Sequence, residues 1–189
     1  IESMDEHDIT HVVLEVSSHA LDQGRVDILD FDVACFTNLT HDHLDYHKTM
    51  ENYFKVKEQL FKSLREDAVA VVNIDSEYGK RLVDSTSARV VTYGIESPEA
   101  GVRARDVVLG KTGSSFTLVY KKETYPVEIP FIGQHNIYNT LACLGAGIGI
   151  GRDLRMSIKG ISRGVCVPGR LEPVKNSAGY SVFVDYAHT

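Results

Sequence analysis

The stretch AVAVVNI, residues 68–74, is apolar except for Asn73 and rich in β-branched valine and isoleucine. Such a run favours a pleated backbone and reads as a strand buried on both faces, the kind that parallel sheets use. On its N-terminal side, over residues 49–64, Met50, Tyr53, Phe54, Val56, Leu60, Phe61 and Leu64 recur at largely helical spacing and predict an amphipathic helix. On its C-terminal side, residues 77–86 read as a second helix and RVVTYG (89–94) as another strand. Further upstream, DVACFTN (32–38) and VVLEV (12–16) are expected to be buried strands of the same parallel sheet. Strands alternating with helices argue for an α/β fold with a mostly parallel, doubly wound sheet flanked by helices.

Beyond residue 100 the period changes. VRARDVVL, SSFTLVY and TYPVEI alternate with period two and are separated by the turns at 110–113 and 121–123, which predicts a smaller antiparallel β-sheet elaboration at one edge. HNIYNTLACLGAGIGIG then reads as a helix with a glycine-rich end, and residues 153–163 as another. Two short strands are expected at 172–175 and 180–184. With no internal repeat or low-complexity segment, one α/β unit is expected to cover residues 1–189.

A chain of 189 residues with 43% hydrophobic content is ordinary for one soluble domain. Its formal charge of -6, without a basic run, offers no footprint for nucleic acid or an anionic membrane. No apolar run approaches the roughly 20 residues that span a bilayer, and no signal-peptide pattern opens the chain. Cys35, Cys143 and Cys166 are odd in number, far apart and flanked by apolar residues, so they read as buried thiols in a reducing compartment. A cytoplasmic location is expected. The first four residues resemble a helix tail, and the chain closes on VFVDYAHT, so it reads as part of a larger protein.

GKTG (110–113) resembles the end of a phosphate-binding loop, but that pattern needs glycine at 105, where Arg105 stands, and a helix must follow. It reads as a hairpin turn. HDHLDYH (41–47) places His43 and His47 at i and i+4, a zinc-site spacing, yet lacks the glutamate of a zinc hydrolase. The cluster could instead cap the following helix, or stand beyond the C-terminal end of the strand at 32–38, where open α/β sheets gather ligands. Glu15, inside an apolar run, is costly to bury without a positive neighbour, and with His43 it points to magnesium.

Several segments together resemble the ATP-dependent Mur ligases of peptidoglycan synthesis, and among them the MurE type: LEVSSHALDQGRV (14–26), FTNLTHDHLDYH (36–47), YFKVKEQLF (53–61), VNIDSEYG (72–79), GQHNIYNTLA (133–142), VPGRLEPV (167–174) and VDYAHT (184–189). They occur in the family's order and span nearly the whole chain. The resemblance implies that Glu15 and His43 are magnesium ligands and that Lys57 carries a carbamate that binds a second magnesium ion; composition alone does not separate Lys57 from Lys55 or Lys62. It further implies that Ser17, Gln23 and Arg25 bind UDP-muramyl-dipeptide, that Asn136 and Asn139 meet adenine, and that Arg170 and Asp185 approach the phosphates and ribose of ATP. Their chemistry suits those ligands: guanidinium and amide groups for carboxylate and phosphate oxygens, amide edges for a base, a carboxylate for ribose hydroxyls. His135 departs from relatives that carry an aromatic residue there, which bears on the adenine pocket.

The implied reaction is ATP-dependent amide formation between the substrate's D-glutamate carboxylate and a diamino acid, meso-diaminopimelate, with L-lysine as the alternative. Neither a glycine-rich ATP loop nor the family's N- and C-terminal domains fall within these residues, so the piece alone is expected to be inactive. Rival readings are a related ligase of the cyanophycin or folylpolyglutamate synthetase type, and a non-catalytic nucleotide- or glycan-binding module.

Overall fold

A computed structural model describes residues 7–174 and 180–186. Its centre is a six-stranded sheet in the order β1 (Val33–Phe36), β2 (Val69–Asn73), β3 (Arg89–Gly94), β4 (Val102–Leu109), β5 (Ser114–Tyr120) and β6 (Glu123–Ile129). The first three pairings are parallel and the last two antiparallel. β2 lies inside this sheet with all five residues buried, as its uninterrupted apolar run demands. Ala70 and Val72 turn to one face, where Phe54 and Phe61 of α3 (Met50–Lys62) and Leu82 of α4 (Glu77–Val83) cover them. Val69 and Val71 turn to the other, against Ile137, Leu141 and Leu144 of α5 (Gln134–Gly149). Helices therefore lie on both faces of a mostly parallel sheet, as the alternating pattern predicts.

α5 approaches β2 closely because of its glycines. A Cβ on Gly145 would stand 2.8 Å from Val71 Cγ1, and one on Gly149 equally close to Val69 Cγ1. The glycine-rich end is thus a packing face of the helix. Helix starts follow local chemistry: Thr49 Oγ1 accepts from Asn52 N at 3.1 Å at the head of α3, and Asp153 Oδ1 from Met156 N at 2.8 Å at the head of α6 (Leu154–Ser162). The antiparallel meander is continuous with the parallel part, joined to β3 only through Tyr93↔Val102 and Gly94↔Arg103. Pro126 is tolerated because β6 forms the sheet's edge. A separate two-stranded antiparallel sheet joins β7 (Glu172–Val174) to β8 (Val182–Val184), and residue 175, expected in the first of these, lies outside the described residues.

Two expectations are corrected. Residues 12–16 form no strand: Val12 is 52% and Val13 96% exposed, and Glu15 is exposed as well, so it is not the buried carboxylate that its apolar neighbours imply. A run meant for burial on both faces needs a pairing strand and covering layers, and no described strand pairs with it. Nor are the cysteines buried: Cys35 and Cys143 are exposed and Cys166 is half-buried. β1 is the other edge of the sheet, so its α5-side face is only partly covered, although burial still pushes the Cys35 thiol up to about 11.

Candidate functional site

α1 (Ser18–Asp22) begins with Ser17 as its N-cap, Oγ accepting from Ala20 N at 3.2 Å, and Gln23 closes it. Arg25, in the turn beyond, donates to the Gln23 side-chain oxygen. All three are exposed, so their polar groups are open to solvent on one short stretch. Two contacts fix that stretch against α2 (Leu44–His47): Tyr46 OH donates to Asp22 Oδ2 at 2.5 Å, and His47 Nε2 lies 2.8 Å from Ser18 Oγ. His47 is only 6% exposed and stacks on Tyr53 of α3 at 4.9 Å, so it is a structural residue. Burial, then the neighbouring His19, holds its imidazole below the ordinary histidine range.

His43 stands differently. It sits at the N-cap of α2 in a left-handed backbone (φ 54°), its N–H bonded to its neighbour Asp42 at 2.7 Å, with 42% of its side chain exposed. The short α2 and the break at Lys48 (φ 67°) keep it off α3, so the i, i+4 histidines are not two ligands on one helix face. His43 packs edge-on to Tyr53 at 5.9 Å and to His19 at 5.2 Å. Lys57, one turn along α3, holds its Nζ 5.4 Å from the same Tyr53 ring. Burial pushes the Lys57 amine below the ordinary lysine range, and the Glu15 carboxylate works against that shift. His43 and Lys57 therefore both approach the Tyr53 ring, the Glu15 carboxylate is near enough for its charge to act on Lys57, and Ser17, Gln23 and Arg25 lie at or just past the ends of α1.

Among the described residues no three His, Cys, Asp or Glu side chains gather into a metal cage. Magnesium does not need one, since it keeps several waters and is commonly held by one or two carboxylates together with substrate oxygens. The donor set at Glu15 and Lys57 fits such a shared ion in one specific way. Burial that disfavours the ammonium form makes the Lys57 proton easier to lose, and a neutral lysine amine can attack carbon dioxide, shed a proton and become a carbamate, an added anionic oxygen donor.

The second group assembles from distant sequence. Asn136, in the first turn of α5, donates to Ile132 O at 2.8 Å and accepts from Asn139 Nδ2 at 3.3 Å. A cavity of about 270 Å³ is lined by Asn136, Phe131, Arg170 and Phe183, and a second of about 320 Å³ by Asn136, Asn139, Phe131 and Arg170. Asp185 accepts from Leu171 N at 3.0 Å, one residue past Arg170, which brackets the loop. The four nucleotide-side residues named from sequence thus lie together. Their apolar partner Phe131 was not anticipated, since no local pattern links residue 131 to 170.

Both groups sit at one end of the sheet. Asn73 Nδ2, at the C-terminal end of β2, donates to Thr37 O just past β1, which leads to His43. Two residues on, Asp75 accepts from Tyr138 OH of α5 at 2.9 Å and from the backbone of Ile95, Glu96 and Ser97. Burial works to raise this carboxyl, but the four hydrogen bonds outweigh it and hold it below the ordinary range. The C-terminal edge of parallel strands is where open α/β sheets bind ligands.

Residues 1–147 match the family model of the Mur ligase middle domain. The chain is 49% identical over 184 residues to a UDP-N-acetylmuramoyl-L-alanyl-D-glutamate–2,6-diaminopimelate ligase of Geobacter sulfurreducens, covering 94% of this chain and 36% of that protein. It is 45% identical over 192 residues to the ligase of the same name from Bacillus cereus, covering 98% of this chain and 39% of the other. A solved structure of such a ligase superposes with a TM-score of 0.82 at 30% identity over 91% of this chain and 36% of its own. The chain thus spans little more than a third of the length of these relatives, and it belongs to the Mur ligase middle-domain family.

Proposed function

We propose that the chain is the central part of a cytoplasmic, ATP-dependent ligase that joins meso-diaminopimelate to UDP-N-acetylmuramoyl-L-alanyl-D-glutamate. The observation that carries this reading is the shared strand edge, with a carboxylate, imidazole and half-buried amine at one end and an arginine-lined pair of cavities at the other. A carboxylate must meet a triphosphate there, and two anions approach only if their charge is offset. Ser17, Gln23 and Arg25 would hold the muramyl-dipeptide, with Arg25 receiving an anionic group. Asn136 and Asn139 would present amide edges to adenine, with Arg170 and Asp185 toward phosphate and ribose.

The D-glutamate carboxylate oxygen attacks the γ-phosphorus and ADP leaves. The amine of the diamino acid then attacks the acyl carbon, loses a proton and expels phosphate, forming the amide. Glu15, His43 and carbamylated Lys57 would hold magnesium, which when bound neutralises phosphate charge. The remaining segments of the full-length protein would complete the phosphate cradle and select the diamino acid. The test is Lys57→Ala in the full-length protein. It should abolish ligation without loss of folding, and a small carboxylic acid should restore part of it; wild-type ligation by the variant refutes the assignment.

A further inference from the structure

The GKTG turn, which fails as a phosphate loop by pattern, stands at the wall of the cavity shared by Asn136 and Arg170. Lys111 and Thr112 line it beside Pro130 and Phe131. Their position is held by close contacts. Gly110 N donates to Gly113 O at 2.9 Å, a Cβ on Gly113 would lie 2.6 Å from Ile129 O, and Ser114 Oγ donates to Phe131 O at 2.8 Å. Only a turn without side chains at those two positions folds this tightly onto the end of β6. Among the described residues neither Lys111 nor Arg170 joins an ion pair, and both side chains are exposed at the same cavity. Two cations without an ion-pair partner within 4 Å, beside an aromatic wall, are complementary to a ligand with an anionic end and a flat apolar one.

We propose that Lys111, with Thr112 beside it, is a nucleotide-binding residue that contacts the phosphate end of the ligand while the second cavity takes the base. This rests on the nucleotide reading above and adds to it a residue from the antiparallel hairpin. An ammonium on a flexible stem is a point charge for phosphate oxygens, whereas Arg170 spans both cavities. The test titrates the full-length protein with adenosine, ADP, ATP and UDP-muramyl-dipeptide at low salt. Lys111→Ala should weaken ADP and ATP by about five- to tenfold, in line with a charge-assisted contact to an exposed site. It should leave adenosine and UDP-muramyl-dipeptide unchanged, and Lys111→Arg should keep most of the affinity. Unchanged ATP binding by Lys111→Ala, or an equal loss of adenosine, overturns the contact while leaving the nucleotide reading intact. Loss confined to UDP-muramyl-dipeptide overturns it in favour of the other diphosphate. A wild-type protein that binds neither adenosine nor ATP ends the nucleotide reading and this one with it.

Discussion

Residues 12–16, VVLEV, and β2, VAVVN, read alike and end in opposite surroundings. Val71 of β2 is 0% exposed, with strands on both sides and a helix layer on each face, while Val13 is 96% exposed and pairs with no described strand. An apolar run states that a segment suits burial; it does not supply the neighbours that bury it. β2 finds its partners close in sequence, Val33 opposite Val69 on one side and Arg89 opposite Val69 on the other, through the β1–α3 and α4–β3 units. Residues 12–16 find none among the described residues, and their chain covers only 36% of a relative such as the Geobacter sulfurreducens ligase.

That contrast can be broken by charge. Val71→Asp should destabilise this chain by on the order of 5 kcal/mol, because an unpaired carboxylate would replace a fully buried side chain. Val13→Asp should change stability by less than about 0.5 kcal/mol. Urea denaturation of the two variants compares them, and equal costs would contradict the difference in burial. In the full-length protein the Val13→Asp cost should rise toward that of Val71→Asp if residues 12–16 there gain strand partners, and the same denaturation measures it.

A middle-sized effect is expected at Asp75, which ties the end of β2 to the 95–97 loop and α5. Asp75→Ala should cost about 2–3 kcal/mol, since three backbone N–H groups and the Tyr138 hydroxyl lose their acceptor. Because the folded carboxyl titrates below its ordinary value of 3.8, its contribution is complete above that value and lost as pH falls through the lower folded one. Acid titration should therefore show a shallower loss of stability in Asp75→Ala than in wild type, and identical acid limbs would contradict the tie. A smaller loss than at Asp75 is expected at Gly145→Ala. A Cβ pressed to 2.8 Å from Val71 Cγ1 opposes the gain in helix propensity, leaving a net loss of about 1 kcal/mol, read as a lower urea midpoint. A raised midpoint would mean that α5 sits farther from β2.

Much of the fold was legible because period and cap chemistry are local: Thr49 opens α3, and the alternation in residues 102–129 marks the meander. What stayed hidden was relational. Two residue pairs join β3 to β4, too few to read in advance, and the cavity wall draws Lys111, Phe131, Asn136, Arg170 and Phe183 from separate segments. The candidate site divides the same way. Lys57 came from a resemblance to other ligases, and only the structure supplies a physical mark for it, a half-buried amine beside Tyr53 that is lowered by its surroundings. The sequence suggests a buried Glu15, whereas the structure leaves it an exposed carboxylate whose charge acts on Lys57.

The central claim is that one strand edge carries two separate ligand sites. Calorimetric titration of the full-length protein tests it most directly, with UDP-muramyl-dipeptide and ATP run against Arg25→Ala and Asn139→Ala. Arg25→Ala should lose affinity for UDP-muramyl-dipeptide and keep it for ATP, while Asn139→Ala should do the reverse. If either variant weakens both ligands equally, or neither variant weakens any, the two-site account is wrong.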